Sequence, residues 1–349
     1  MAAKVVLEDI AKRVGVHRST VSLALRDHPR ISKEMRVRIQ ALAAKMGYRK
    51  NPLVAALMQS RRSGKRVKDV VIAYLTDYPT RYGWRPPYHD RPDYFPGAAE
   101  RAKELGYKLE HFWLREPGMT PERMSDILRT RGINGVMIGR LPPGHMELHL
   151  KWDYFSCMAL GMTLRNPNHH RVSEDFFTDA GKAVEQVFRH GYKRVGFVHS
   201  EPDDCPRVGD QLLGACLRQQ IKHSPNDLVP PFLFEEETDH PAAFAAWYSQ
   251  YRPDALIVTH AQPVLTWLKG MELEVPRDIG LAALGNDHLD RGWAGIHCNA
   301  EKLGALATEM LIGLMHRNET GIPEDPHETL LCGEWVDGWS LSPSVGAQR

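Results

Sequence analysis

The sequence predicts a small all-α head followed by a larger α/β body in two halves, and three observations carry that prediction. At 349 residues the chain exceeds a single ordinary domain of about 100–200 residues. Its formal charge of +2 conceals a division: residues 1–68 hold 17 basic and 4 acidic side chains, a balance of +13, whereas residues 69–349 hold 28 and 39, a balance of −11. At the same boundary the apolar spacing changes from the helical period to short buried runs alternating with amphipathic stretches. A cationic fifth joined to an anionic remainder points to a polyanion-binding end on an ordinary body. Hydrophobic content of 42% and charged content of 25% are those of a globular protein. No apolar run approaches the roughly 18–20 residues of a membrane span. Residues 1–9 lack the apolar core of a secretory signal. The five cysteines (Cys157, Cys205, Cys216, Cys298, Cys332) are scattered without CxxC spacing, so neither a zinc site nor a disulfide framework is expected. The expected compartment is the cytoplasm.

The head reads as three short helices. Leu7, Ile10 and Ala11 share one face, and Gly15 permits a turn. Val16, Val21, Ala24 and Leu25 form the next apolar set, with Ser19 or a neighbour as the cap, and His28-Pro29 ends it. Ser32 caps a third helix with Glu34 in its first turn, Val37, Leu42 and Met46 as its buried stripe, and Gly47 as its close. Helix, glycine turn, helix is the helix-turn-helix pattern, whose second helix enters the DNA major groove by its N-terminal residues. Those residues are His17, Arg18, Ser19, Thr20 and Ser22. Arg18 suits a bidentate contact to guanine, worth about 1–3 kcal/mol of discrimination. The hydroxyls suit phosphates or bases.

The stretches Leu7-Glu8-Asp9-Ile10-Ala11, Gly15-Val16-His17-Arg18-Ser19-Thr20-Val21-Ser22, Ile31-Ser32-Lys33-Glu34-Met35-Arg36 and Met46-Gly47-Tyr48-Arg49-Lys50-Asn51-Pro52 closely resemble the lactose-repressor (LacI/GalR) family of bacterial transcription regulators. The resemblance implies that Arg18 and Ser19 choose the operator sequence. It implies that His17, Thr20 and Ser22 touch bases or phosphates, and that Leu7, Ser32 and Tyr48 anchor the DNA backbone. Leu23 departs from the arginine common there. After Asn51 and Pro52, residues 53–58 favour a short helix, marginal alone. The resemblance implies a hinge helix that orders on DNA, with Val54 in the minor groove and Leu57 wedged between base steps. A plain linker helix is the alternative. Arg61, Arg62, Lys65, Arg66 and Lys68 make a basic tether. The expected units are thus a head over 1–50, a hinge and tether over 51–68, and a body over 69–349.

In the body, strands are predicted at 70–75, 108–114, 135–139, 155–161, 195–199, 256–259 and 281–284, and helices at 94–106, 121–131, 180–190 and 208–220. Repeated βα units imply parallel sheets covered by helices, with ligands beyond the carboxyl ends of the strands. The family resemblance extends here to a periplasmic-binding-protein-like body of two Rossmann-like subdomains joined by three crossovers. It rests on Gly191-Tyr192-Lys193-Arg194-Val195, on Val172-Ser173-Glu174-Asp175 at the first crossover, and on Val275-Pro276-Arg277-Asp278-Ile279-Gly280. The resemblance implies effector contacts from Tyr94, Phe95 and Arg207, and from Asp287 through a one-residue shift in Leu284-Gly285-Asn286-Asp287. Trp84, Trp113 and Trp152 are open between ring stacking and core packing. The helix at 300–317, with Leu303, Leu306, Ala307, Met310, Leu311 and Leu314, is open between a dimer surface and internal packing.

Catalytic patterns are missing. His145-x-Glu147-x-His149 lacks the glutamate directly after the first histidine that a zincin needs. His169-His170 falls in a polar loop and is expected at the surface, as is Glu235-Glu236-Glu237. No GxSxG elbow, Walker loop or GxGxxG occurs. The expectation is therefore no enzyme, no cofactor and no metal. It is a cytoplasmic, nucleoid-associated homodimer that binds double-stranded operator DNA, represses, and answers to a sugar or related metabolite. An α/β enzyme with an accessory DNA-binding head is the alternative.

Overall fold

The computed structural model describes residues 7–25, 30–46, 48, 70–86, 93–142, 144–200, 206–234, 240–285 and 292–341. Contacts divide the chain into Met1–Lys68 and Asp69–Arg349.

The head comprises α1 (Leu7–Val14), α2 (Arg18–Ala24) and α3 (Lys33–Lys45). Gly15, at φ +78°, turns the chain between the first two. Ile10, Ala11, Val21, Ala24, Ile39 and Ala43 are buried together, with Leu7, Val16, Leu25, Met35, Leu42, Met46 and Tyr48 packed around them. Ser32 Oγ accepts from the amide of Met35 at 3.3 Å, as its capping role requires. One expectation needs correction. Val37 is 57% exposed and Ile39 takes its place in the core. The inward face runs through 35, 39, 42, 43 and 46, and position 37 lies roughly 200° from 39 on a helix turning about 100° per residue. Of Ser19 and its neighbours, His17 is the one that caps α2. His28, Pro29 and Gly47 lie outside the described residues.

The body begins with β1 (Val70–Thr76), α4 (Phe95–Glu104), β2 (Tyr107–Trp113), α5 (Pro121–Thr130), β3 (Gly135–Ile138), β4 (Ser156–Leu160) and β5 (Arg171–Glu174). It continues with α6 (Phe176–Arg189), β6 (Val195–Ser200), α7 (Pro206–His223), β7 (Phe232–Phe234), α8 (Pro241–Tyr251), β8 (Ala255–Val258), α9 (Ala261–Gly270), β9 (Gly280–Leu284) and β10 (Gly295–His297). The last elements are α10 (Ala300–Arg317), β11 (Glu328–Leu331) and β12 (Glu334–Val336). Among the described residues two six-stranded sheets result, ordered β11-β5-β4-β3-β1-β2 and β12-β10-β9-β8-β6-β7. All pairings are parallel except β10 with β12. Strands β3, β4, β6 and β8 are buried along their whole length, as the mainly apolar strands of a parallel sheet covered on both faces should be.

Three passages of chain join the two halves. The first leads from β5 into α6, the second from β10 into α10, and the third from β11 into β12. Of the two readings of residues 300–317, internal packing is the one realised. Helix α10 lies against α4 and the first sheet, with Leu303, Ala307, Leu311, Leu314 and Met315 buried. The two helices meet backbone to backbone. A Cβ at Gly304 would fall 2.1 Å from the carbonyl oxygen of Tyr94, and one at Gly97 would fall 2.0 Å from that of Glu301.

His169 also departs from expectation. Its residue is 1% exposed, and its ring meets that of Trp152 edge-on at 4.7 Å between centroids. Trp152 belongs to the core of the first half, so the polar loop folds inward over it. Neither ring nitrogen of His169 has a hydrogen-bond partner among the described residues. Burial, seconded by His170 and Arg171, pushes its pKa down to about 4.

Two measurements test this packing. Gly304→Ala should destabilise the protein by about 1–3 kcal/mol, because a methyl group there has no flexible neighbour to displace. Chemical denaturation reads the change, with Gly270→Ala, whose Cβ would meet nothing within 4 Å, as the control that should not destabilise. As pH falls from about 6.5 toward 4, the unfolded chain takes up a proton that buried His169 refuses, so stability should fall in that window. Because His111 and Asp179 are also shifted across this window, the readout is a difference: between pH 6.5 and 4 His169→Phe should lose less stability than wild type, and a pH series of melting curves checks it.

Candidate functional site

In the head, the sequence-predicted residues His17, Arg18, Ser19, Thr20 and Ser22 gather at the start of α2. His17, Arg18 and Ser19 are exposed, and Thr20 and Ser22 are half-buried. His17 is extended at φ −70° and ψ 148°, which stops the helix from continuing backward. Its Nδ1 accepts from the amide of Ser19 at 3.3 Å, and Ser19 Oγ lies 2.8 Å from the same nitrogen. The carbonyl of His17 accepts from the amides of Thr20 and Val21 at 2.9 and 3.3 Å. Leu7 and Tyr48 are half-buried against the head core, and Ser32 is exposed at the start of α3. Asn51, Val54 and Leu57 lie outside the described residues.

In the body, the carboxyl ends of the first sheet carry a buried polar group. Tyr94, just before α4, is 1% exposed and donates its hydroxyl to Glu174 Oε1 at 2.5 Å. Arg140, two residues beyond β3, donates to the same hydroxyl at 3.2 Å and stands 3.9 Å from Glu174 Oε1. Ser173 Oγ donates to Glu174 Oε2 at 3.2 Å. A carboxylate buried to 2% exposure needs such donors, since an uncompensated charge in low dielectric is costly. Burial holds the Tyr94 phenol far above its ordinary range, with Arg140 opposing and Glu174 reinforcing. The sequence marks Glu174 only as part of the first crossover and does not mark Arg140. The usable signal was their shared place at the ends of β3 and β5.

Beside this group stands an aromatic cluster. Phe95 meets Tyr74 edge-on at 5.2 Å, Trp84 lies 5.2 Å from Tyr74 and 5.6 Å from Phe95, and the Arg85 guanidinium sits 4.9 Å over the Trp84 ring. Trp84 is thus packed within an aromatic wall. Trp113 is anchored through its Nε1 to the carbonyl of Tyr78, and Trp152 is in the core. The second sheet ends in Ser200, Thr259 and Gly285, and His199 Nδ1 lies 3.1 Å from Thr259 Oγ1. Cys298, on the second crossing, lies between the two sets, acting on the Tyr94 phenol and standing 3.6 Å from where a Cβ at Gly285 would be. Arg207 is engaged elsewhere. At the start of α7 it pairs with Glu328 on edge strand β11, beside buried Arg171 at 3.4 Å from the same carboxylate oxygen. The structure does not bring Arg207 to Tyr94 through any contact described. Asp287 lies outside the described residues.

The crossings are tied to one another. Asp175 accepts from the amide of Thr178 at 3.0 Å, capping α6, while its own amide donates to the carbonyl of Leu331. One turn on, both carboxylate oxygens of Asp179 accept from the amide of Gly333, at 2.9 and 3.0 Å. Lys182 donates to the carbonyl of Gly333 at 2.6 Å. Burial raises the Asp179 pKa to about 6, against the pull of the Gly333 amide and Lys182. A side chain at 333 has no room, because a Cβ would fall 2.4 Å from Ile296 Cγ2.

Among the described residues no cluster of metal-ligating side chains occurs, and no helix is long and apolar enough to cross a membrane.

Residues 6–51 match the bacterial regulatory proteins of the lacI family, and residues 184–341 match the periplasmic binding protein-like domain. A stretch of 206 residues, 56% of this chain, is 25% identical to the NTD biosynthesis operon regulator NtdR of Bacillus subtilis (strain 168). It covers 55% of that protein, so the chain spans about half the length of the curated relative it matches. Among solved structures, a transcriptional regulator CelR–cellobiose complex is 16% identical, covers 97% of this chain and 100% of that one, and has a TM-score of 0.57. The lac repressor dimer bound to operator and the anti-inducer ONPF is 14% identical at TM-score 0.56, covering 97% of this chain and 100% of that one. The transcription regulator CcpA of Lactococcus lactis is 13% identical at TM-score 0.57, covering 79% of this chain and 100% of that one. At these identities the structural likenesses establish the fold.

Tyr94→Phe should cost about 1–3 kcal/mol of stability, because it strips a buried carboxylate of a donor. Equilibrium unfolding measures it. Glu174→Gln, which removes the charge with the donor still in place, should cost less than Glu174→Ala.

Proposed function

This chain belongs to the LacI family of bacterial transcription regulators, with a periplasmic binding protein-like body, and from that premise we propose that it binds operator DNA as a homodimer and represses. Operator affinity is set by a small polar effector, a sugar or related metabolite, taken up between the two halves of the body. Family members are regulators rather than enzymes. One observation carries the reading: a cationic head whose α2 exposes His17, Arg18 and Ser19, on the same chain as a body whose first sheet ends on the buried polar group of Tyr94, Arg140 and Glu174.

On DNA, Arg18 contacts base edges, with Ser19 beside it. His17, Thr20 and Ser22 contact bases or phosphates, and Leu7, Ser32 and Tyr48 anchor the backbone. Asn51, Val54 and Leu57 belong to a hinge helix entering the minor groove. The effector meets Tyr94 and Phe95 on one side and Asp287 on the other. Arg140 and Glu174 join the set because they share the Tyr94 hydroxyl, and Arg207 serves it by leaving Glu328. The cellobiose in the CelR structure supports a sugar as the effector class. An effector that changes how the halves close would shift operator affinity by a coupling of about 1–3 kcal/mol.

The test has two arms. Selection from a random duplex library should yield a near-palindromic site. Arg18→Ala should relax preference at one position of each half-site by about 1–3 kcal/mol. An equal loss on every sequence would make Arg18 a phosphate anchor. A thermal-shift screen of mono- and oligosaccharides, sugar acids and sugar phosphates should give a hit that also changes operator affinity. A hit turned over chemically, with no effect on DNA binding, would favour the enzyme reading.

A further inference from the structure

The cap of α2 determines what the neighbouring hydroxyl can read. A backbone amide only donates, so the 3.3 Å contact from the Ser19 amide makes His17 Nδ1 an acceptor. A neutral imidazole has one bare nitrogen, and the ring proton therefore sits on Nε2. Ser19 Oγ lies 2.8 Å from that same bare nitrogen. Two acceptors at that distance repel, so the hydroxyl must point its single proton at Nδ1. What Ser19 then offers outward is lone pairs alone.

In the major groove, adenine and cytosine present exocyclic amines as donors. Guanine O6 and N7 and thymine O4 are acceptors. A free serine hydroxyl rotates to suit either kind of edge; a hydroxyl whose proton is committed does not. We propose that His17 fixes the polarity of Ser19, so that Ser19 accepts from the amine of adenine or cytosine at its contact and disfavours guanine and thymine there. His17 is a positioning residue in this reading discrimination, and its outward Nε2–H is a donor suited to a phosphate oxygen. The inference rests on the operator-binding reading given above. Arg18 has donors only, so the adjacent pair presents opposite polarities: Arg18 asks for acceptors such as those of guanine, and Ser19 asks for an amine.

Library selection with the full-length protein tests this, comparing wild type with Ser19→Ala, His17→Ala and His17→Asn. The position whose preference disappears in Ser19→Ala identifies the Ser19 contact. In wild type that position should be adenine or cytosine, favoured by about 3- to 10-fold, the equivalent of one hydrogen bond. His17→Ala should admit guanine and thymine at that position. His17→Asn supplies an accepting side chain at a favoured N-cap and should restore the wild-type preference. The readout is which base is chosen, so a uniform loss of affinity from a weakened head does not imitate it. A wild-type preference for guanine or thymine at the Ser19 position would overturn the proposal, as would an unchanged preference in His17→Ala. If wild type selects a site but Ser19→Ala alters no position of it, the proposal falls while the operator reading stands. If wild type enriches no sequence at all, both fall.

Discussion

A carboxylate removed from water needs donors, and Asp179 finds its principal one in the amide of Gly333. Asp179 stands in the first turn of α6, immediately after the first crossing, and Gly333 is on the third. That contact, doubled at 2.9 and 3.0 Å and closed by Lys182 on the Gly333 carbonyl, binds two passages of chain into one joint. Each sheet has a core of its own, and the joint lies outside both. The mutual placement of the halves depends on it. Everything proposed for the effector depends on that placement, because Tyr94 and Arg140 belong to one half, Ser200 and Thr259 to the other, and Cys298 lies between them. The raised pKa of Asp179, about 6, is the cost of siting a charge where the backbone most needs fixing.

How much of this could be read beforehand follows from the range of the interactions. Local ones were legible. The cap at Ser32, the turn at Gly15 and the buried runs of β1, β3 and β6 depend on residues a few positions apart. Ile39 displaced Val37 because both are β-branched and apolar, and only the phase of the whole helix separates them. Strands β7, β10, β11 and β12 are three or four residues long and carry no period of their own. They exist because a neighbouring strand offers a free edge. His169 looked exposed because its neighbours in sequence are polar, yet its neighbour in space is Trp152. In the same way Tyr94 was visible at the start of a helix, while Arg140 and Glu174 acquire meaning only when parallel pairing aligns the ends of β3 and β5. The engagement of Arg207 with Glu328, 121 residues away, had no local trace at all.

Charge acts on two scales in this molecule. Over whole segments it is divided, with the basic excess in residues 1–68 and the acidic excess in the remainder. That division steers the head toward a polyanion and repels the body from one, and salt screens both effects. At the level of single side chains the buried charges are paired. Glu174 is met by Tyr94, Ser173 and Arg140, and Arg171 by the carbonyls of Gly161 and Leu164, by Asn168 and by Glu328. These pairs are little screened, so they hold geometry under conditions in which the long-range field fades.

The contact between α4 and α10 has a mechanical consequence. Most helices rest on one another through side chains, which act as a compliant layer: a small displacement on one side is absorbed by changed rotamers. At Gly97 and Gly304 that layer is missing, and main chain touches main chain. The carbonyl at that contact is the one belonging to Tyr94, and the helix it touches begins at Ala300, directly after the second crossing. A push on Tyr94 therefore has no soft material to compress. It meets the main chain of α10 directly, near the start of that helix, just after the chain changes halves.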